Sequence, residues 1–462
     1  MLQDYLTAAK STFKDYTELR AQVNSTKHVT LISGNMTTNT QQSIGGVSAR
    51  VYRGGTYGFA SGAEYSPESV KSIIEAATTN ALFMDKHVNL GKPPLPSLKN
   101  APPKIGLQSK IADPIQQNKL IDFTKELDEF IVKKYKNISA RTLVSNVLEM
   151  EKLLAVSEGT DGHWNQLRSM IYVSLTAETN DGTPVELFKS YGGIGKYDEL
   201  FTSVPAMEAE LDQLYEHLMN KREGIYPEAG LKKCILHPNI AGMLAHEAVG
   251  HTVEADIVLA GSVASTNVGK MVASELVSMV DYAHTAMGKT CPMPVYVDDE
   301  GVEAKDAVLI ENGALKSFLH NRETARHFDV EPNGCARAFE FSDEPLIRMR
   351  NTAILPGKDK LDDLIASIDD GYLLIESGNG QADTTGEFMF SVDLGYEIKS
   401  GKIGKGLKDT TISGVAFEML KTVDMVSDDM VWACGGFCGK KQAMTNSMGG
   451  PALRCDITLG GR

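Results

Sequence analysis

Two imidazoles and one carboxylate lie close together in this chain, at His246, Glu247 and His251, in an otherwise apolar segment. Imidazole nitrogen is a good zinc ligand, and a Glu beside the first ligand can take a proton from a metal-bound water. The pattern therefore predicts a zinc site that carries out hydrolysis.

The spacing of the two histidines requires a local distortion. Helical zinc sites usually read His-Glu-x-x-His, with ligands at i and i+4. On a regular α-helix the i+5 spacing of His246 and His251 places the rings roughly 140° apart, so they could not hold one ion. A π-bulge with i→i+5 hydrogen bonds returns both rings to one face, and Gly250 would ease that distortion. We therefore predict a π-type turn near Gly250.

A catalytic zinc ion uses three protein ligands and one water, so a third ligand must exist. The residues leave three candidates open. Glu254 follows His251 closely, Glu275 has a separation typical of His-Glu-x-x-His enzymes with a downstream Glu, and Cys438 lies in a glycine-rich stretch. Cys434 and Cys438 have three residues between them, unlike a redox Cys-x-x-Cys pair or a zinc-ribbon knuckle, so one of them is a candidate single ligand.

Two arginines are candidates for substrate binding. Arg337 and Arg348 could contact a peptide carbonyl or a terminal carboxylate, although arginines more often form surface ion pairs.

Composition narrows the class of protein. With 462 residues the chain is too long for one ordinary core, and its net charge of -14 argues against a nucleic-acid partner. It contains no apolar run long enough to span a membrane and no signal-peptide pattern at its start. Six cysteines spread over the chain fit reduced thiols, so we expect a cytoplasmic protein without a membrane span.

Hydrophobic periodicity and turn signals predict an α+β fold with two domains, residues 1–223 and 224–462. The first is a helix-and-sheet domain, and the break between Glu223 and Gly230 separates it from a β-rich domain that carries the histidine motif. The elements expected in the first domain are an opening helix into Leu19, strands around Gly45-Gly46, a helix from Ser66-Pro67, a proline-rich crossing from Gly91 to Lys104, a helix over 120–131, strands over 138–189 and a helix over 207–218.

In the second domain, a strand over Leu231–Leu236 precedes the motif helix, for which Asn239 is a plausible N-terminal cap. The pattern around 308–315 predicts a hairpin, and alternation over 388–394 predicts a strand.

Several motifs are similar to those of the TldD/PmbA family of metalloproteases, and the histidine motif to its metal-bearing TldD-type members. The matching segments run nearly end to end and comprise 45–51, 58–60, 66–68, 246–251, 298–301, 309–313, 351–352 and 438–440.

This resemblance implies zinc (Zn2+) held by His246, His251 and Cys438, with Glu247 as general base and Glu275 in a structural role. It also implies activity on unstructured peptides. An open cleft between sheet edges would bind such chains by strand addition, through main-chain hydrogen bonds that depend little on sequence.

The resemblance further implies a dimer, either of this chain or with a TldE/PmbA-type partner. The alternative is a non-catalytic scaffold or regulatory protein of the gyrase-modulator type, in which zinc is structural and Cys434 is a fourth ligand. A third possibility is a subunit that is active only with a family partner. The acidic charge gives no support to a role with DNA gyrase.

Overall fold

The computed structural model describes residues 9–88, 115–159 and 161–460, together with residues 6, 95 and 98 and the backbone of 106–107. Helices and sheets are mixed in the way that the α+β prediction expects. The predicted proline-rich crossing from Gly91 to Lys104 lies almost entirely outside the described residues. No helix within the described ranges is long and apolar enough to cross a membrane.

The N-terminal domain is built on one large antiparallel sheet. Its strands are β1 (Tyr16–Ile32), β2 (Asn35–Arg53), β3 (Thr56–Gly62), β4 (Gly106–Leu107), β5 (Ala140–Val156), β6 (Gly162–Glu178) and β7 (Pro184–Ile194). Their order is β3-β2-β1-β5-β6, and both β4 and β7 pair with β6. Among the described strand pairs of this sheet, only β4–β6 is parallel.

The predicted opening helix does not extend to Leu19, because β1 already begins at Tyr16; of the described residues before it, Leu6 and Ala9 are helical. Leu19 and Ala21 are buried side chains of the sheet. The β1–β2 turn lies at Ser33 and Gly34, whose positive φ angles of 47° and 84° suit a two-residue hairpin. The Gly45-Gly46 pair lies inside β2 and not between two strands.

Three helices of this domain, at 67–88, 117–134 and 208–222, follow the predicted patterns, and the short helix at 197–200 is an addition. They are α1 (Pro67–Val88), α2 (Gln117–Lys134), α3 (Tyr197–Leu200) and α4 (Glu208–Arg222), with 3-10 turns at Lys10–Thr12 and Val204–Met207. The Ser66 hydroxyl accepts the Ser69 N–H at 3.1 Å and caps α1 as expected. The stripe Leu120, Leu127 and Ile131 is fully buried, so α2 packs against the sheet along its predicted apolar face.

Residues 223–229 join α4 to the C-terminal domain. The predicted boundary after residue 223 falls in this segment and stays a prediction. The remaining helices are α5 (Pro238–Leu244), α6 (Ala255–Leu259), α7 (Arg322–Phe328), α8 (Leu361–Ala366) and α9 (Ala416–Lys421), with a π-helical turn at Ala245–Gly250 and 3-10 turns at His251–Val253 and Val263–Thr266.

The C-terminal domain is rich in strands, as expected. They are β8 (Gly230–Leu236), β9 (Met279–Tyr282), β10 (Thr285–Ala286), β11 (Lys289–Thr290), β12 (Ala307–Glu311), β13 (Ala314–Leu315), β14 (Ala336–Arg337), β15 (Leu346–Ile347), β16 (Asn351–Ile354), β17 (Asp370–Ala382), β18 (Glu387–Lys399), β19 (Lys402–Gly406), β20 (Thr410–Val415), β21 (Met425–Val426), β22 (Val431–Ala433), β23 (Phe437–Lys440), β24 (Gln442–Thr445), β25 (Ser447–Gly450) and β26 (Leu453–Leu459). The predicted hairpin over 308–315 and the strand over 388–394 are both present.

One of these sheets closes on itself. The pairing runs β17-β8-β26-β20-β18, and β18 pairs again with β17. Ile240 and Leu244 of α5 belong to the same buried cluster as Phe390 and Ile412 from the sheet. The closed sheet thus gives the segment that carries the histidines a rigid apolar support. A second sheet has the order β13-β12-β9-β16-β25-β22, while β10-β11, β14-β15 and β23-β24 are separate hairpins.

The start of α5 differs from the prediction. His237 occupies the N-cap position of α5 without a capping hydrogen bond from its side chain, and Pro238 occupies the first helical position, where its missing N–H is not needed. The predicted cap Asn239 is inside the helix, and its side-chain amide donates to Glu376 Oε1 at 2.7 Å.

Buried ion pairs join the two domains. Arg50 of β2 contacts Glu18 at 2.7 Å within its own sheet and also contacts Glu300 of the C-terminal domain. Lys152 of β5 contacts Asp299 at 2.8 Å. The motif segments around Arg50 and around residues 298–301 therefore meet at one interface.

Removal of Arg50 is expected to be costly. In Arg50→Ala, the buried carboxylates Glu18 and Glu300 lose their shared cation, which should lower the free energy of unfolding by about 3–5 kcal/mol. Chemical unfolding monitored by fluorescence measures this. In the matched control Arg53→Ala, the lost pair with Asp15 joins side chains that are 45% and 24% exposed, so the change should stay below about 1 kcal/mol. Equal losses in the two variants would contradict the role of the buried pairs.

Candidate metal centre

The predicted π-type distortion is present. The α-helical backbone of α5 ends at Leu244, a π-helical turn covers Ala245–Gly250, and a 3-10 turn follows. The His251 N–H donates to the His246 carbonyl, which is the i→i+5 bond of a π turn. As a result the centroids of the two imidazole rings lie 5.2 Å apart. The i+5 spacing therefore brings both rings to one place.

Gly250 is needed for space and not for backbone freedom. Its φ of -55° is ordinary right-handed helix, which any residue can adopt. A Cβ on Gly250, however, would lie 2.1 Å from the Sδ atom of Met349, a buried side chain. The absence of a side chain lets Met349 pack directly against the π turn.

A hairpin brings a thiol to the two histidines. Cys438 lies on β23, and the Lys441 turn, with φ of 58°, leads into β24. The Cys438 Sγ atom is 3.2 Å from His251 Nε2. One potential ligand atom from each of His246, His251 and Cys438 lies within 4.8 Å of the others. Two imidazoles and a thiol are a preferred donor set of zinc, whose tetrahedral ligand atoms lie roughly 3.5 Å apart, so these residues fit that ion.

His251 is held in place from its other nitrogen. Its Nδ1 atom is 3.0 Å from Glu254 Oε2, and Glu254 is fully buried. Lys440 Nζ lies 3.2 Å from the same oxygen and 2.7 Å from Asp256. Burial alone would lower the pKa of His251, but hydrogen bonds to Cys438 and Glu254 raise it to about 10. This chain of contacts turns Nε2 toward Cys438, a common way of orienting a ligating imidazole.

Glu247 lies beside both rings. Its carboxylate oxygens are 3.9 Å from His246 Nε2 and 3.7 Å from His251 Nε2, and its side chain is 28% exposed. Burial raises the pKa of the Glu247 carboxyl, while the neighbouring His251 opposes that shift. A raised pKa suits a group that takes up and returns a proton near neutral pH.

The other candidate ligands lie elsewhere. Glu254 contacts the far side of the His251 ring, and Glu275 is an exposed residue in the segment that joins the 3-10 turn Val263–Thr266 to β9. Cys434 Sγ is 3.7 Å from the Gly192 carbonyl oxygen. Among the described residues, the group that could hold a metal consists of His246, His251 and Cys438.

The two candidate substrate arginines hold the hairpin instead of facing the cleft. Arg348 is 1% exposed, and its guanidinium donates to the Cys438 and Gln442 carbonyls, each at 2.8 Å. Arg337 donates to the Met349 carbonyl at 2.9 Å and to the Thr445 carbonyl at 2.8 Å. Because the terminal nitrogens of both guanidinium groups donate to these carbonyls, the structure corrects the substrate assignment to a role in positioning the hairpin that carries Cys438.

A cleft of about 1360 Å³ opens above these residues, between the two domains. His246, Glu247 and Cys438 form part of its lining, Phe188 to Gly192 of β7 contribute one wall, and Ile375 to Gly380 of β17 contribute another.

Asn446 is a lining residue that the motifs did not single out. Its side-chain Nδ2 is 3.1 Å from His246 Nε2, and the residue is 3% exposed. Its nearness to Cys438 in the chain is the signal that could have drawn attention to it.

Comparison with known proteins gives the family. Residues 230–461 match the PmbA/TldA metallopeptidase C-terminal domain, and residues 17–81 match PmbA/TldA metallopeptidase domain 1. The chain belongs to the TldD/PmbA metallopeptidase family. A metalloprotease of Methanocaldococcus jannaschii is 31% identical over 96% of this chain and 97% of its own length. A metalloprotease TldD homolog of Haemophilus influenzae is 30% identical over 97% of this chain and 93% of its own length.

A relative from Saccharolobus solfataricus bears the name zinc metalloprotease TldD homolog. It is 34% identical to this chain, and the match spans 53% of this chain and 54% of that protein. The names of these TldD/PmbA relatives support a protease role for the chain.

Solved structures share the fold at lower identity. TldE from Thermococcus kodakarensis has a TM-score of 0.78 at 18% identity, with complete coverage of both chains. A putative modulator of a DNA gyrase from Thermotoga maritima has a TM-score of 0.76 at 19% identity, covering 98% of this chain and 99% of its own. At such identities the likeness shows the TldD/PmbA fold alone.

The packing at Gly250 can be tested with a double-mutant cycle. Gly250→Ala should destabilise the protein by about 1–3 kcal/mol, because the added methyl overlaps Met349. The same change should cost less in a Met349→Ala background, where that overlap is gone. Thermal or chemical unfolding measures both costs. Gly439→Ala is the matched control, since a Cβ there meets no atom within 4 Å. An equal cost of Gly250→Ala in both backgrounds would show that Met349 is not the reason for the glycine.

Proposed function

We propose that this chain is a cytoplasmic zinc-dependent metallopeptidase that hydrolyses unstructured peptides. The observation that carries the proposal is the convergence of His246, His251 and Cys438 beside the Glu247 carboxylate, on the lining of an open cleft. The six cysteines are free thiols, which fits a reducing compartment.

His246, His251 and Cys438 would hold the zinc ion. When bound, zinc lowers the pKa of a water to roughly 7 and polarises a carbonyl group. Glu247 accepts the proton of the attacking water and then donates it to the leaving amine nitrogen. Its partial burial and its place within 4 Å of both rings fit this exchange.

The form of the cleft supports an extended peptide as substrate. β7 pairs with β6 along one edge, and no strand among the described residues pairs with its other edge. Residues 188–192 of β7 line the cleft, so an extended chain could add to that edge through main-chain hydrogen bonds. Such binding excludes compact folded domains and selects little among sequences.

The alternative of a structural zinc ion requires four protein ligands. Cys434, the proposed fourth ligand, contacts the Gly192 carbonyl and is outside the ligand group of the described residues. This favours the open, three-ligand site and therefore catalysis. Pairing with a second copy of this chain or with a TldE/PmbA-type chain remains part of the proposal.

The general-base role can be separated from metal binding. Glu247→Gln should keep its zinc, because the ligands are unchanged, but should lower kcat about 10²–10⁴-fold, because the amide cannot accept the proton. Metal analysis and hydrolysis of a fluorogenic unfolded peptide measure the two properties. Glu275→Gln, which alters an exposed Glu away from the cleft, should match the wild type. Undiminished hydrolysis by Glu247→Gln would remove Glu247 from the mechanism.

The contact between Glu254 and His251 gives a separate prediction. Glu254→Gln should weaken zinc affinity about 10–100-fold, because the neutral amide supports the His251 ring less strongly than the carboxylate. Competition with a zinc chelator measures the dissociation constant, again with Glu275→Gln as the control. Unchanged affinity would mean that Glu254 has no part in positioning the ligand.

A further inference from the structure

We propose that Asn446 is a further catalytic residue, whose side-chain N–H donates a hydrogen bond to the substrate carbonyl oxygen as that oxygen gains negative charge. The proposal rests on the peptidase function stated above and adds a residue to it.

Asn446 is held where the reaction would occur. It connects β24 to β25, is 3% exposed, and lines the cleft together with Glu247 and Cys438. Both of its neighbours in the chain are fixed. The Thr445 carbonyl accepts a hydrogen bond from Arg337 at 2.8 Å, and the Ser447 hydroxyl donates to Asn351 Oδ1 at 2.6 Å. The position of Asn446 is therefore set by the surrounding structure before a substrate arrives.

Within the described part of the chain, the side-chain amide of Asn446 donates to His246 Nε2 at 3.1 Å. The Nε2 atoms of His246 and His251 both face the Glu247 carboxylate. If zinc takes the lone pair of His246 Nε2, the amide N–H loses this acceptor. A buried donor without an acceptor is unfavourable, so the site favours a new oxygen acceptor at that point.

The substrate supplies such an acceptor. In peptide hydrolysis the water oxygen adds to the carbonyl carbon, and the carbonyl oxygen carries negative charge until the C–N bond breaks. One proton passes through Glu247 to the leaving nitrogen, while Asn446 shares its N–H without transferring it. Preorganised donors aimed at a developing oxyanion, asparagine amides among them, make large contributions to catalysis.

Cationic side chains near the site are committed to other contacts. Arg337 and Arg348 donate to main-chain carbonyls of the hairpin region. Lys440 contacts Glu254 and Asp256, and Lys189, which lines the cleft, contacts Glu376. The Asn446 amide, in contrast, is a side-chain donor within hydrogen-bond distance of a ligand imidazole.

The test compares Asn446→Asp and Asn446→Ala with wild type, all loaded with zinc. Asn446→Asp preserves the shape of the side chain, and circular dichroism confirms folding. The exposed Asn220, whose amide donates to the Tyr396 hydroxyl away from the cleft, gives the matched control Asn220→Asp. The measured quantities are zinc affinity, kcat, KM and the dissociation constant of a peptide phosphonate, whose tetrahedral anion resembles the transition state.

The expected result is unchanged zinc affinity, a similar KM, and a fall in kcat of about 10²-fold or more in both Asn446 variants. The phosphonate should bind more weakly by a similar factor, because it requires the same donor. Phosphonate affinity equal to that of the wild type would overturn the proposal. So would a loss of zinc affinity that accounts for the loss of activity, since Asn446 would then act only by positioning His246.

Failure of the inference is distinguishable from failure of the proposed function. If the wild type hydrolyses the peptide and the Asn446 variants do so equally well, the inference fails and the function stands. If the zinc-loaded wild type neither hydrolyses the peptide nor binds the phosphonate, the function fails and the inference fails with it. If the wild type binds the phosphonate but turns over only with a partner chain, the ratio of phosphonate affinities still decides the role of Asn446.

Discussion

The candidate site depends on one backbone hydrogen bond, from the His251 N–H to the His246 carbonyl five residues earlier. With the usual i→i+4 bond in its place, the rings would point to different sides of the helix and could not share an ion. The π turn is supported by tertiary contacts. Met349 occupies the space that a side chain at Gly250 would need, and the preceding helix α5 is buried against the closed sheet.

The second requirement is that distant parts of the chain are held in fixed positions relative to this turn. Cys438 is 187 residues from His251 in the chain, and the hairpin that carries it is held by carbonyl contacts from Arg348. The cleft needs the N-terminal domain as one wall, and the buried pairs of Arg50 with Glu300 and of Lys152 with Asp299 join the domains. One set of buried polar contacts therefore positions the metal ligands, and a different set determines the shape of the cleft.

Local structure was predicted best from the sequence where one physical constraint allowed few conformations. The i+5 spacing of two would-be ligands permits little except a π turn, and the amphipathic stripe of α2 defines its buried face. Prediction was poor where tertiary contacts decide. The three residues from Tyr16 to Glu18 carry no strong strand alternation, and pairing with β2 and β5 makes them part of β1. Spacing could not choose Cys438 among three candidate ligands; that choice came from the family resemblance. Residue type alone made Arg337 and Arg348 candidates for substrate binding, but the carbonyl groups that they contact become neighbours only in the folded chain.

X-ray absorption at the zinc edge, measured on the zinc-loaded full-length protein, tests the central claim most directly. The account predicts one sulfur at about 2.3 Å and three lighter ligands at about 2.0–2.1 Å, two of them with the multiple-scattering signature of imidazole and one a water oxygen. A Cys438→Ser protein should lose the sulfur signal. Two sulfur ligands, which would bring Cys434 into a closed four-ligand site, or no sulfur at all would contradict the account.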